Sequence, residues 1–194
     1  MFSCPLPFVP RAKKTNRFRC RSRTKKPMET RMADLPPPSV FLPDEAATLA
    51  LGGAWAQLLR APCVVYLQGD LGAGKTTFTR GLLHGFGHRG TVKSPTYALV
   101  ESYRLPQDRM LHHFDLYRFA DPSEWEDAGL DDLFADNSIC LIEWPLQGGE
   151  FVPAADYVFD FRTEKGGRRC SVSALSAAAE KGVELWRTSV AADY

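Results

Sequence analysis

Eight consecutive residues, Gly69-Asp70-Leu71-Gly72-Ala73-Gly74-Lys75-Thr76, satisfy G-x-x-x-x-G-K-[ST] in full, with Thr77 directly behind them. Glycines at these places let the backbone curl until successive N–H groups face phosphate oxygens, and the helix that follows adds its positive N-terminal end. Lys75 is the residue to neutralise the β and γ phosphates, which gives it a part in catalysis as well as binding. The Thr76 hydroxyl is the natural ligand for Mg²⁺. A nucleoside triphosphate with Mg²⁺ is what this loop predicts, ATP being the nucleotide to test first. A chance match is the bland alternative, and the flanking patterns, an apolar strand-like run before and a helical one after, argue against it.

A phosphate-binding loop of this kind needs an acidic group at the end of a neighbouring strand, to hold the metal or to orient the attacking water. The chain offers two candidates. Asp115 follows Met110-Leu111-His112-His113-Phe114, and Glu143 follows Ile139-Cys140-Leu141-Ile142. Apolar runs ending in an acid are common, so the pattern leaves the choice open. Thr96, in Ser94-Pro95-Thr96-Tyr97, sits where a γ-phosphate-sensing threonine would lie by position. His112 and His113 are adjacent and point to opposite faces of any strand, so they cannot jointly grip one metal; core packing or surface exposure is expected of each. Trp144 could stack near a nucleotide or simply fill a strand end.

These residues need elements to place them. Apolar positions from Asp44 to Leu59 recur at three and four residues, predicting a helix with Asp44 as its N-cap. Cys63 to Leu67 reads as a buried strand leading into the loop, and Thr76 to Phe86 as a helix ending at Gly87. Tyr97 to Leu105 and Met110 to Phe114 read as antiparallel strands joined by a Pro-containing turn. Glu124 to Phe134 predicts one or two short helices, and Ser138 to Trp144 another strand. Tyr157 to Arg162 and Cys170 to Leu175 flank Lys165-Gly166-Gly167 as a hairpin. The predicted order is α-β-α-β-β-α-β-β-β, without internal repeats.

The net charge of +1 conceals an asymmetry. Positions 1 to 31 hold ten basic residues and one acid, Glu29, whereas the remaining positions hold 14 basic and 22 acidic residues. A like-charged block with few aliphatic residues buries too little surface to offset its ordering entropy, so residues 1–38 are expected to be a disordered extension and 39–194 the folded domain. Three readings of the extension compete: a nucleic-acid-binding arm, an organellar transit peptide, and a start of translation at Met28 or Met32. The last is favoured, since ordinary globular patterning begins only at Val40. Five scattered cysteines without C-x-x-C spacing argue against zinc or a disulfide framework. With no apolar run long enough for a membrane span, a soluble protein of the reducing cytoplasm is expected.

Gly-Asp-Leu-Gly-Ala-Gly-Lys-Thr-Thr (69–77), Lys-Ser-Pro-Thr-Tyr (93–97), His-Phe-Asp-Leu-Tyr-Arg (113–118) and Ile-Glu-Trp-Pro (142–145), in this order and spacing, resemble the TsaE (YjeE) family. These are small bacterial ATPases required for threonylcarbamoyladenosine (t6A) modification of tRNA. The resemblance covers about residues 40 to 175 and has no counterpart for the basic extension. It implies a single α/β P-loop NTPase-like domain, with a mixed parallel and antiparallel sheet and helices on both faces. It implies slow ATP hydrolysis within a complex containing the TsaD transferase and its partner TsaB, with tRNA met indirectly through that complex. It also assigns the two acids: Glu143 as the second Mg²⁺ ligand beside Thr76, Asp115 as the acid of hydrolysis. Glu45, Trp144 and Arg168 fall where the family approaches the nucleotide.

Three rivals share part of this pattern. A small-molecule or nucleoside kinase would use the same loop but would add an Arg-bearing lid, for which no segment is long enough. A GTPase-like switch would carry Asn-Lys-x-Asp, which is absent. A direct RNA binder would rest on the basic extension alone, against a body near −8 in charge.

Overall fold

The computed structural model describes residues 36–191, and the basic stretch that carries the readings of positions 1–31 lies outside them. Seven strands form one sheet: β1 (Ser39–Leu42), β2 (Cys63–Gln68), β3 (Val100–Leu105), β4 (Arg109–Asp115), β5 (Ser138–Glu143), β6 (Tyr157–Glu164) and β7 (Gly167–Ala174). Their spatial order is β1-β7-β6-β2-β5-β4-β3. The centre is parallel, β2 pairing with both β5 and β6 and β4 with β5. The margins are antiparallel, with β3 on β4, β6 on β7 and β1 on β7. The mixed sheet matches the predicted fold class.

Alternation along the central strands splits the core in two. Cys63, Val65 and Leu67 of β2, with Ile139 and Leu141 of β5, face the helices α1 (Glu45–Trp55), α2 (Lys75–Gly85) and α4 (Ala177–Ala191), meeting Trp55, Phe78 and Trp186. Their neighbours Cys140 and Ile142 face the other way. They meet Trp125 of the short helix α3 (Glu124–Asp127), Leu130 of a 3₁₀ turn (Leu130–Leu133), and Val152 at the end of a second (Pro145–Phe151). Helices therefore cover both faces. On the first face Gly52 of α1 and Gly81 of α2 let the two backbones touch: a Cβ on Gly52 would strike the Phe78 carbonyl, and one on Gly81 the Leu49 carbonyl.

Several boundaries move from their predicted places. Asp44 does cap α1, accepting from Ala47 N at 2.8 Å, but the helix ends at Trp55 instead of Leu59. The strand predicted from Tyr97 begins at Val100, because Ala98 N and Leu99 N both donate to the Pro95 carbonyl and Leu99 takes φ 63°. That turn holds residues 96–99 out of the sheet. The β6–β7 hairpin turns on Lys165-Gly166 alone, while Gly167 pairs with Glu164. β1 and α4 are additions to the predicted order. Among the described residues no helix is long and apolar enough to cross a membrane.

Candidate functional site

β2 delivers the phosphate-binding loop to the C-terminal edge of the parallel strands, where open α/β sheets hold their ligands. Gly69 (φ 127°) turns so tightly against β6 that a Cβ there would collide with the Phe161 carbonyl. Gly74 (φ 108°) occupies the N-cap of α2, which has no side-chain cap and no acid in its first turn. Among the described residues no side chain caps the first N–H groups of α2, as an anion-binding helix start requires.

Lys75 begins α2 and is 4% exposed. Its Nζ donates to the Gly69 and Asp70 carbonyls at 2.7 and 2.9 Å, and lies 3.7 Å from Glu143 Oε2. Burial lowers its pKa below the ordinary lysine value, an effect opposed by the carboxylates of Glu143, Asp115 and Asp70. The Trp144 ring lies under the ammonium, 4.6 Å from its centroid, and against Tyr117 at 5.1 Å. Trp144 holds the left-handed conformation (φ 57°) just before Pro145. This strained turn bends the chain directly after Glu143.

Parallel pairing sets Asp115 opposite Glu143 at the ends of β4 and β5, and both are buried. Their surroundings differ. Glu143 Oε1 accepts from the Thr76 hydroxyl at 3.2 Å and faces His113 Nε2 at 2.9 Å. Asp115 Oδ2 accepts from the Thr96 hydroxyl at 2.7 Å and more loosely from Ser94 at 3.4 Å, while Oδ1 accepts from Tyr117 N at 3.1 Å.

The cleft between these groups encloses about 280 Å³. Leu71, Gly72, Gly74, Lys75, Thr76 and Thr77 line one side of it, and Thr96, Asp115, Glu143 and Trp144 the other. Glu45, at the start of α1, and Arg168, on β7, close its rim; Glu45 pairs with Arg80, and Arg168 Nη1 donates to the Ala73 carbonyl at 3.3 Å. Two of the residues singled out from the sequence do not line it. Gly69 lies behind the loop against β6, and the Ala73 methyl is in the core. Three neighbours were not singled out as site residues: Ser94 and Tyr117, whose contacts are given above, and His113, expected only in the core or on the surface. His113 could have been found from its spacing, since position i−2 from Asp115 shares its face of the strand.

The side chains suit a nucleoside triphosphate with Mg²⁺. Among the described residues no cluster of three His, Cys, Asp or Glu side chains forms a self-sufficient metal site. A hydroxyl and one carboxylate, Thr76 and Glu143, are hard oxygen donors of the kind Mg²⁺ takes together with phosphate oxygens and water. The glycine turns, the uncapped start of α2 and the buried Lys75 form the matching cradle for phosphate.

Comparison with known proteins places this geometry. The family model described as "Threonylcarbamoyl adenosine biosynthesis protein TsaE" matches residues 42–170. The chain is 52% identical over 121 residues to the tRNA threonylcarbamoyladenosine biosynthesis protein TsaE of Haemophilus influenzae, covering 60% of this chain and 76% of that one. It is 43% identical to its Bacillus subtilis namesake over 100 residues, 50% of this chain and 60% of the other, and 34% identical to that of Treponema pallidum over 63% and 89%. The crystal structure of Bacillus subtilis YdiB superposes with a TM-score of 0.64 at 28% identity, covering 76% of this chain and 91% of that one. With two thirds of its length matched by that family model, the chain belongs to the TsaE family.

Proposed function

We propose that this protein is a slow Mg²⁺-dependent ATPase that drives or resets a TsaD-type transferase and its TsaB-type partner during t6A formation in tRNA. The observation that carries the reading is the pair of buried carboxylates, Asp115 and Glu143, set side by side over Lys75 and Thr76. Lys75 and the N–H groups at the start of α2 bind the triphosphate. Thr76 and Glu143 would hold Mg²⁺, which when bound neutralises charge on the β and γ phosphates. Asp115, held in place by the Tyr117 N–H and the Thr96 hydroxyl, orients a water and accepts its proton as the new bond to the γ phosphorus forms and the bond to ADP breaks.

Among the described residues no nucleophile and base pair suited to carbamoyl transfer stands beside the cleft, which supports leaving that chemistry to the partner. The excess of acidic residues beyond position 31 favours indirect engagement of tRNA, through the complex and in the cytoplasm. The test is co-purification with TsaD and TsaB, ATPase rates with and without them, and t6A levels in cells carrying Lys75→Ala as the sole copy. Lost modification together with stimulated ATPase in the complex is expected; normal t6A in that strain would defeat the proposal.

A further inference from the structure

His113 is wholly buried on β4, two residues before Asp115, and among the described residues its side chain's one hydrogen bond joins Nε2 and Glu143 Oε1 at 2.9 Å. Its Nδ1 has no partner among the described residues. These two facts fix the tautomer. An ionised carboxylate only accepts, so the proton belongs on Nε2; the reverse tautomer would aim a lone pair at an anion and strand an N–H in the core. His113 is therefore a fixed donor to one particular oxygen of Glu143.

We infer that His113 is the positioning residue that holds the Glu143 carboxylate for the cation, a role resting on the reading of Glu143 as a Mg²⁺ ligand. Oε1 has two donors, Thr76 and His113, while Oε2 faces Lys75. Thr76 is itself a metal ligand on the proposed reading, and its hydroxyl must adjust its aim at Oε1 whenever a cation exchanges with water beside it. His113 sits on a strand, outside the phosphate loop, and keeps its bond through that exchange. Without it a carboxylate only 4% exposed loses the strand-borne donor that fixes its rotation. Outer partners of this type change metal affinity by about 10–100-fold when removed.

The test measures, in the full-length chain, the Mg²⁺ concentration giving half-maximal ATP binding for wild type, Glu143→Ala, His113→Leu and His113→Gln, with thermal melts beside each. His113→Leu should raise that concentration by about 10–100-fold with metal-free ATP affinity unchanged, and His113→Gln, whose amide carries an N–H to similar depth, should recover most of the loss. A folded His113→Leu with the wild-type Mg²⁺ requirement overturns the inference, as does a folded His113→Gln no better than Leu. Should His113→Leu not fold, ¹⁵N shifts of the wild-type imidazole decide, with an Nε2–H tautomer expected and an Nδ1–H tautomer contradicting it. An unchanged Mg²⁺ requirement in Glu143→Ala removes the metal reading and the inference with it. A raised one there, beside none in His113→Leu, removes the positioning role alone.

Discussion

Among the described residues a cleft lies at each end of the sheet, and the two differ in size and in chemistry. At the N-terminal end of the parallel strands a cleft of about 540 Å³ is lined by residues such as Arg60, Phe86, Arg109 and Asn137. None of its polar side chains is buried, and Arg60, Arg109 and Asn137 turn to the carbonyls of Leu59, Pro106 and Asp108. The cleft at the C-terminal end has about half the volume, 280 Å³, yet holds three buried charged side chains, Lys75, Asp115 and Glu143, converging from three elements. Desolvated groups that converge point to a site better than volume does, because removing charges from water is costly and functional sites are where that cost is commonly met.

This contrast can be broken in graded steps. Asp115→Asn should slow hydrolysis by about 10²–10⁴-fold with ATP binding retained, measured by phosphate release and calorimetry; a rate within a few-fold of wild type would remove Asp115 from catalysis. Lys75→Ala should weaken ATP binding by about a hundredfold or more, and undiminished affinity would move the nucleotide elsewhere in the molecule. Thr96→Val removes a 2.7 Å hydrogen bond to Asp115 and should slow hydrolysis by about tenfold, the worth of one such bond. The double variant Arg60→Ala/Arg109→Ala should leave binding, hydrolysis and stability essentially as they are, within about 0.5 kcal/mol. A large loss of ATP binding in that variant would reverse the ranking of the two clefts.

The legibility of the site in the sequence follows the same division. The phosphate loop is contiguous, and its requirement for glycines and a lysine leaves a pattern that can be read directly. Asp115 and Glu143 are 28 positions apart, and what makes them a pair is the parallel register of β4 with β5, which local patterning does not carry. Their distinction lies in partners, hydroxyls for one and Thr76, Lys75 and His113 for the other, and only resemblance supplied it in advance. The start of β3 was misplaced because Tyr97, Ala98 and Leu99 have strand-like side chains while the Pro95 carbonyl captures two of their amides. β1 is four residues long and owes its existence to pairing with β7. Helix α4 carries its buried apolar side chains, Ala179, Val183 and Trp186, at helical spacing, but it opens on Ala177-Ala178-Ala179 and so short a stripe is easily passed over.

The glycine contact between α1 and α2 bears on how the walls of the cleft are held. With Gly52 and Gly81 backbone to backbone, a side chain at either would force the helices apart, so Lys75 at the start of α2 and Glu45 at the start of α1 are carried on two tightly packed helices. The opposite wall is anchored elsewhere: Leu99 and Trp144 are packed into the second hydrophobic cluster, across the sheet. The cleft is thereby walled from two separate hydrophobic clusters, and exposed apolar residues stand on both sides of it, Leu71 on the loop, Tyr97 and Leu146 on the facing segments.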